Sequence, residues 1–177
     1  MQRESELAHI DYLTGAINMR FFYELAGIEI DRFQRYGHPF TLCYIDLDDF
    51  KTVNDKFGHA TGDLVLSIVA DSIKKQIRKT DIFARLGGDE FALLLPETSA
   101  DAARVAISKI RVEFLKQMQQ SNWPVTFSMG VLTCNLHPVS VEELVRQADE
   151  VMYQSKDSGK NIIKYSAYKK NSPIEDG

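Results

Sequence analysis

The sequence predicts an α/β fold of the α+β sandwich type, with a central, mostly antiparallel sheet flanked by helices. Apolar runs that suit strands alternate with segments of helical period in the order β-α-β-β-α-β, with one further helix before this core and another near its end. Two of the strand runs are joined by Gly87 and Gly88, which is typical of a tight β-hairpin. The 177 residues, 44% of them hydrophobic, suffice for one domain with its own core.

The first half of the predicted domain has a strand between two helices. The segment from Asn18 to Tyr36 carries apolar residues at helical spacing and stops at Gly37. The run from Phe40 to Asp46 is rich in β-branched and aromatic residues and predicts a buried strand. The second helix follows Gly62. Its apolar face is formed by Leu66, Val69, Ile73 and Ile77, and its basic end by Lys74, Lys75, Arg78 and Lys79.

The second half begins with the hairpin and ends with a strand. Pro96 terminates the hairpin, and Ser140 with Glu143 has the spacing of a capping box that starts a helix. The predicted elements are hairpin strands at 81–86 and 90–95, a helix from 98 to about 120, a strand at 125–133, a helix from 140 and a strand near 161–165.

The same patterns suggest where the domain begins and ends. Leu7, Ile10 and Leu13 recur at helical spacing, so residues 1–13 are predicted to be a helical linker stub from an upstream region. Residues 14–166 form the predicted domain, and residues 167–177 a polar C-terminal tail.

Composition excludes several classes of function. The formal net charge of -4 gives no attraction to nucleic acid or to anionic lipid, so we expect neither partner. Cys43 and Cys134 lie in apolar runs, which indicates buried thiols in a reducing compartment and no disulfide. The four histidines show no zinc or triad spacing. We expect a cytoplasmic domain without direct membrane contact, although a longer parent protein could be membrane-anchored.

Acidic residues occur at two places that a sheet would bring together. Asp46, Asp48 and Asp49 end one predicted strand, and Asp89 with Glu90 lies at the tip of the hairpin. If these strands are neighbours, Asp46 and Asp89 meet at one edge and offer oxygen ligands suited to Mg²⁺, whose expected partner is a nucleotide. The alternative is that the acids cap a following short helix and that the glycine pair is an ordinary turn.

Phosphate binding cannot come from the usual glycine-rich motifs, because the sequence has neither GxxxxGK[ST] nor GxGxxG after a strand. Lys51, Lys156 and Lys160 are the candidates for this role. For any one lysine taken alone, a solvated surface position is the alternative.

Five motifs in one order resemble the GGDEF family of diguanylate cyclases. They are DYLTG at 11–15, DLDDFKTVND at 46–55, GHATGD at 58–63, RLGGDEF at 85–91 and ADEVMYQSK at 148–156. The resemblance extends from Asp11 to Ile163 and implies a fold similar to the palm of adenylyl cyclases and polymerases. The implied reaction joins two GTP into cyclic di-GMP with release of two pyrophosphates, with Mg²⁺ or Mn²⁺ as cofactor.

The resemblance also implies roles for individual residues. Asp46 and Asp89, with the Leu47 carbonyl, are the implied metal ligands, and Glu90 assists at the metal or at deprotonation of the 3′-hydroxyl. Asp46, Asp89 and Glu90 are thus the implied catalytic residues. The implied substrate-binding residues are Asn54 and Asp63 for guanine, Gly87 and Gly88 for close backbone approach, Phe50 and Lys51, and Lys156 and Lys160 for the phosphates.

Arg78 and Asp81 stand where the family's RxxD product-inhibition site lies. Arg78 can donate two hydrogen bonds to guanine O6 and N7, so the resemblance implies inhibition by cyclic di-GMP. The alternative for this pair is a helix C-terminus with Arg78 serving the dipole. The sequence departs from the family pattern at Lys160, where Arg is more usual, and at Ala16 and Met19.

A symmetric product made from two identical substrates implies a homodimer as the active unit, with an upstream sensory domain setting its geometry. The alternative function is a catalytically silent GGDEF domain that acts as a receptor for GTP or cyclic di-GMP. Intact Asp46, Asp89, Glu90, Asn54 and Asp63 favour the enzyme.

Overall fold

A computed structural model describes residues 9–171 and contains one six-stranded sheet. The strands are β1 (Ile17–Asn18), β2 (Phe40–Asp48), β3 (Ile82–Gly87), β4 (Glu90–Leu95), β5 (Thr126–Cys134) and β6 (Ile163–Ala167). The helices of this part are α1 (Met19–Tyr36), α2 (Phe50–Phe57), α3 (His59–Lys74), α4 (Ala100–Gln120) and α5 (Val141–Asp157).

The sheet is antiparallel at its centre and parallel at its edges. Its order is β1-β3-β4-β2-β5-β6, in which β3, β4, β2 and β5 pair antiparallel, while β1 joins β3 and β6 joins β5 in parallel. The α/β fold class with a mostly antiparallel sheet is therefore confirmed. No helix among residues 9–171 is both long and apolar enough to cross a lipid bilayer.

Alternation along β2 separates two hydrophobic cores. Cys43, Ile45 and Leu47 face one side, where α3 and α4 cover the sheet. Leu42 and Tyr44 face the other side, beneath α1 and α5. By the same alternation the next two residues on this second side are Asp46 and Asp48, so the strand carries its acidic end to the edge of the α5 face.

Helix capping agrees with the sequence patterns. The Asn18 side chain accepts a hydrogen bond from the Phe21 amide at the start of α1, and the Ser140 side chain accepts one from the Glu143 amide at the start of α5. Gly37 ends α1 with φ of 72°, a left-handed conformation.

The second predicted helix ends earlier than expected. α3 stops at Lys74, so Ile77 and Arg78 lie beyond it. The Asp81 carboxylate accepts a hydrogen bond from the Arg78 amide at 2.8 Å, which favours a turn over another helical turn at this point.

The prediction of a helical stub over residues 1–13 is wrong for residues 9–13, which are not helical. Residues 1–8 lie outside the described chain. Ile10 forms an antiparallel bridge with Ile17, and residues 12–14 form a turn. The Asp11 carboxylate accepts hydrogen bonds from the Thr14 amide and hydroxyl at 2.9 and 2.7 Å. This local alternative to helical hydrogen bonding overrides a weak apolar period.

The predicted polar tail starts with packed residues. Tyr168 is only 2% exposed, and the Gln147 amide group both donates to the Lys169 carbonyl and accepts from the Lys169 amide. Residues 168–171 therefore cover part of the α5 side, while residues 172–177 lie outside the described chain.

Helix α5 approaches the sheet closely at Gly130 on β5. A Cβ built there would lie 2.5 Å from the Ala148 carbonyl oxygen and would overlap the Met152 amide nitrogen. These are backbone atoms in the middle of a helix, so a side chain at 130 must displace the helix from the sheet.

We expect Gly130→Ala to lower the free energy of unfolding by about 2–3 kcal/mol, because the extra methyl group overpacks this contact. Gly27→Ala is the matched control. Gly27 lies inside α1 with 3.8 Å of clearance, so alanine there should raise stability by about 0.5–1 kcal/mol. Urea unfolding of both variants measures the difference. Equal effects at the two sites would contradict the close approach.

Candidate active site

The acidic end of β2 and the hairpin tip form one site. In the β2–β4 ladder Asp46 lies directly opposite Glu90. The Leu47 amide donates a hydrogen bond to the Asp89 carbonyl oxygen at 3.2 Å and joins the turn to the end of β2. The structure thus brings together Asp46, Leu47, Asp89 and Glu90, which the sequence predicts to act together.

Both aspartates of this site have a raised pKa, mainly because they are partly buried. Burial raises the pKa of Asp46 above its ordinary value, and the charge of Asp89 adds to this, while the Lys156 ammonium opposes it. Burial likewise raises the pKa of Asp89, with a smaller contribution from Glu90. Negative charge at this edge is therefore only partly compensated by the protein.

Two of the three candidate phosphate-binding lysines contact acidic residues of the site. Lys156 Nζ, at the end of α5, lies 2.9 Å from Asp46 Oδ1 and 3.9 Å from Asp48 Oδ1. Lys160 forms an ion pair with Asp49. Lys51, the third candidate, is exposed on α2.

Asp48 has a structural role that its sequence position does not reveal. Its carboxylate accepts hydrogen bonds from the Thr126 hydroxyl at 2.7 Å, the Ser128 hydroxyl at 2.8 Å and the Asn161 amide at 2.8 Å. Asp49 precedes α2 with φ of 63° and makes no side-chain cap bond. The alternative in which these acids simply cap the short helix is therefore wrong for Asp48 and Asp49.

Arg111 of α4 also binds the backbone of Asn161, in the loop between α5 and β6. It donates to the Asn161 carbonyl oxygen at 2.7 Å, while the Asn161 amide is bound to Asp48. The loop that carries Lys160 is thereby held at the backbone N–H and the C=O of Asn161, which belong to two successive peptide units.

The predicted guanine-binding residues lie where α2 and α3 meet. Asn54 of α2 is in contact with Gly62 of α3, since a Cβ built on Gly62 would overlap the Asn54 side-chain oxygen. Asp63, the next residue, is exposed. Phe50 is 7% exposed and belongs to the core, with its ring edge 3.3 Å from the same Cβ position, so it supports this junction from below.

The glycine pair of the hairpin faces open space. Gly87 and Gly88 have φ of 152° and 47°, and a Cβ on either would meet nothing within 4 Å. Packing within the described chain therefore does not require glycine at these positions. Their backbone conformation does, as would a ligand bound close to the backbone.

Arg85 fixes this turn to the N-terminal segment. Its Nε donates to the Gly88 carbonyl oxygen at 3.0 Å, and its Nη1 lies 3.3 Å from Asp11 Oδ2. Burial opposes ionisation of Asp11, but the hydrogen bonds from Thr14 and the charge of Arg85 lower the pKa of this carboxyl below its ordinary value. The first and fourth sequence motifs are thus in direct contact.

Tyr44 contacts Glu90 from within the sheet. Its hydroxyl donates a hydrogen bond to Glu90 Oε2 at 2.9 Å. Burial, followed by this bond and the charge of Glu90, raises the pKa of Tyr44 well above its usual range, so the phenol remains a donor.

The candidate inhibitory residues form a separate group beyond α3. Arg78 Nη2 lies 3.0 Å from Asp81 Oδ1 and also donates to the Thr98 hydroxyl and the Pro96 carbonyl. They line a groove with Val105. The described hydrogen bonds of Arg78 include none to a carbonyl of α3, which ends at Lys74, so the alternative in which Arg78 serves a helix C-terminus is not supported. The Arg78 side chain is 59% exposed.

A family model described as diguanylate cyclase, GGDEF domain, matches residues 8–162. The chain belongs to the GGDEF family. The resemblance seen in the five motifs is therefore confirmed.

Two curated GGDEF relatives illustrate the extent of the match. Diguanylate cyclase A of Treponema denticola is 41% identical over 174 residues, which cover 95% of this chain and 46% of that protein. Diguanylate cyclase DgcM of Escherichia coli K12 is 36% identical over 156 residues, which cover 88% and 38%. The chain thus spans less than half of the length of either relative.

Solved GGDEF structures share the fold. The coiled coil and GGDEF domain of DgcB from Caulobacter crescentus, in complex with c-di-GMP, superposes with a TM-score of 0.85 at 28% identity, covering 93% of this chain and 89% of that one. Diguanylate cyclase SiaD from Pseudomonas aeruginosa, in complex with its activator SiaC, gives 0.82 at 31% identity, covering 94% and 66%. The palm-like architecture expected of the family is confirmed.

Within residues 9–171 no three His, Cys, Asp or Glu side chains converge as a preformed metal cluster. The donor set of two carboxylates is small, as suits a cation that keeps water and phosphate ligands, and Lys156 shows that positive charge is drawn to it. The residues therefore fit a magnesium-type ion better than a fully caged metal.

We expect Asp89→Asn to stabilise the metal-free domain at pH 7. A carboxyl whose pKa is raised by folding stabilises the fold below the unfolded pKa, and this contribution is lost as pH rises through the folded pKa. At pH 7 in EDTA the variant should therefore melt about 1–2 °C higher, roughly 0.5 kcal/mol after solvent screening, with the difference shrinking toward pH 4.

Thermal melts of Asp31→Asn, an exposed carboxylate on α1, serve as the control and should move by less than about 1 °C. A lower melting temperature for Asp89→Asn at pH 7 would show that the hairpin carboxylate stabilises the fold by itself.

Proposed function

We propose that the chain is a diguanylate cyclase domain, which condenses two GTP into cyclic di-GMP and releases two pyrophosphates. The observation that carries the proposal is the meeting of Asp46 and Asp89 at one sheet edge, with Glu90 opposite and Lys156 beside them. Family membership supports the same reaction.

Asp46, Asp89 and the Leu47 carbonyl would hold Mg²⁺ or Mn²⁺. When bound, such an ion supplies polarisation of the α-phosphate and lowers the pKa of the attacking 3′-hydroxyl. In each condensation the 3′-oxygen forms a bond to the α-phosphorus, the bond to the bridging oxygen breaks, and pyrophosphate leaves. Glu90 would accept the hydroxyl proton or assist at the metal.

The lysines would exchange partners when the nucleotide binds. Lys156 and Lys160 are paired with Asp46 and Asp49, and triphosphate oxygens are competing acceptors of the same kind. Lys160 offers a point charge where an arginine would offer a bidentate fork, so its hold on the phosphates depends less on geometry.

Asp63 and Asn54 would select guanine. A carboxylate at 63 accepts from guanine N1–H and the 2-amino group, and adenine offers neither donor. Asp63 is exposed at the helix junction, and Asn54 is fixed against Gly62 beside it. GTP should therefore be strongly preferred over ATP.

Two copies of the domain would act together. One domain binds one GTP in this scheme, so a two-fold pair must bring each 3′-hydroxyl to the other α-phosphate. The curated relatives are more than twice as long, which supports a parent protein with a sensory domain that sets dimer geometry in the cytoplasm, where GTP is available.

Arg78 and Asp81 would bind the product as an inhibitor. The Arg78–Asp81 ion pair presents the guanidinium to solvent beside an apolar groove. The guanidinium could donate to O6 and N7 of guanine while the base packs against the groove. The same pair supports a second function, that of a receptor for cyclic di-GMP without catalysis.

We expect the purified domain, at high protein concentration with GTP and Mg²⁺, to form cyclic di-GMP, with a rate per protomer that rises with concentration. Asp89→Asn should lower kcat at least a hundredfold, because it removes a metal-binding charge. Asp31→Asn is the control and should stay within twofold. Chromatography of the products measures the rates, and ATP should give no cyclic product.

Absence of cyclic di-GMP from the wild type at concentrations where it is dimeric would contradict the enzyme. If the domain then still bound cyclic di-GMP, the receptor function would replace it.

We further expect Arg78→Ala to raise the cyclic di-GMP concentration for half-inhibition at least tenfold, because the variant removes two hydrogen bonds to guanine. Val105→Ala, in the same groove but without polar contacts, should raise it less than threefold. Rate measurements with added product decide this, and equal shifts for both variants would rule out the guanidinium as the main contact.

A further inference from the structure

Tyr44 is a polar residue that no sequence motif assigns to the site. It lies on β2 two residues before Asp46 and is 8% exposed. Its hydroxyl donates to Glu90 Oε2 at 2.9 Å. Among the described residues, this is the one hydrogen bond that the Glu90 side chain accepts.

The sheet leaves a defined space for the tyrosine ring. In the antiparallel ladders the residues directly opposite Tyr44 are Ala92 on β4 and Gly130 on β5, both small. Helix α5 closes this space from above, since its backbone approaches Gly130 closely. The ring therefore reaches diagonally across to Glu90. Glu90 pairs with Asp46, which is the next pair on the same face of these two strands, two residues along each.

A glutamate at a hairpin edge has three side-chain torsions to lose on ordering. One donor fixed in the core can hold one carboxylate oxygen and leave the other oxygen directed away from the sheet. Tyr44 is suited to this because its own position is set by packing on three sides.

We propose that Tyr44 is a positioning residue that fixes the Glu90 carboxylate for the reaction at the Asp46–Asp89 edge. This inference rests on the proposed cyclase function. Tyr44 makes no contact with the substrate in this scheme and acts through Glu90 alone.

The test is a double-mutant cycle of Tyr44→Phe and Glu90→Ala. Tyr44→Phe preserves the ring and removes the donor, and Glu90→Ala removes the acceptor. Tyr44→Phe should lower kcat about tenfold, because a hydrogen bond to a charged group is lost, and leave KM for GTP within twofold. In the Glu90→Ala background the same change should alter kcat less than twofold.

Tyr165→Phe is the matched control. Tyr165 is half-buried on β6 beneath Arg104, far along the sheet from Glu90, and its ring contact survives the change. Its kcat and KM should stay within twofold of the wild type.

A parallel titration with Mn²⁺ in the absence of nucleotide, followed by electron paramagnetic resonance, gives a readout that does not depend on turnover. Tyr44→Phe should weaken Mn²⁺ binding about threefold, with no further loss when added to Glu90→Ala. This measurement decides the inference where Glu90→Ala is too slow to assay.

A tenfold loss of kcat from Tyr44→Phe that persists in the Glu90→Ala background would overturn the positioning role, as would unchanged kcat or a loss confined to KM. If the wild type forms no cyclic di-GMP, the proposed function fails by that result. The Mn²⁺ cycle then still decides whether Tyr44 acts through Glu90.

Discussion

Pairing of β2 with β4 is the constraint on which the rest of the site depends. The ladder places Asp46 opposite Glu90, and the Leu47 amide extends it to the Asp89 carbonyl oxygen. These contacts join residues more than forty positions apart and make one acidic edge out of a strand end and a hairpin tip. A shift of the register by one residue would turn Asp46 toward the α3 and α4 side and Leu47 toward α5, so the hydrophobic cores and the site are specified together.

Burying carboxylates at this edge of the sheet costs free energy of folding, and nearby ion pairs and hydrogen bonds reduce that cost. Burial, with a smaller contribution from neighbouring negative charges, raises the pKa of both Asp46 and Asp89. Lys156 compensates part of this charge, and Asp48 has three hydrogen-bond donors of its own. These contacts distinguish Asp48 from Asp46 and Asp89. Asp48 accepts three hydrogen bonds within the fold, whereas Asp46 and Asp89 are the carboxylates that, under the proposed function, would bind a cation.

Short sequence patterns predicted the helix caps and the hairpin correctly. They did not predict structure that depends on contacts between residues far apart in the sequence. The capping residues Asn18 and Ser140 and the hairpin glycines identify their elements, because capping and turn conformation depend on a few adjacent residues. The helical period before residue 13 was too short to outweigh the Asp11 turn, which is itself held by Arg85 across the fold. The Asp48 contacts with β5 and the Tyr44 bond to Glu90 could not be predicted, because hydroxyl groups carry no periodic signal of their partners.

Charge balance also links the lysines to the cation. Lys156 compensates part of the charge of Asp46, so a nucleotide that drew this ammonium to its phosphates would leave the carboxylate without that compensation at a half-buried position. A divalent cation that arrives with the nucleotide replaces the lost charge at that place. Under the proposed function, nucleotide and cation therefore bind more tightly together than either does alone. Under the same proposal Lys156 would have two roles, because it compensates part of the charge of Asp46 and would move to the phosphates when the cation takes its place.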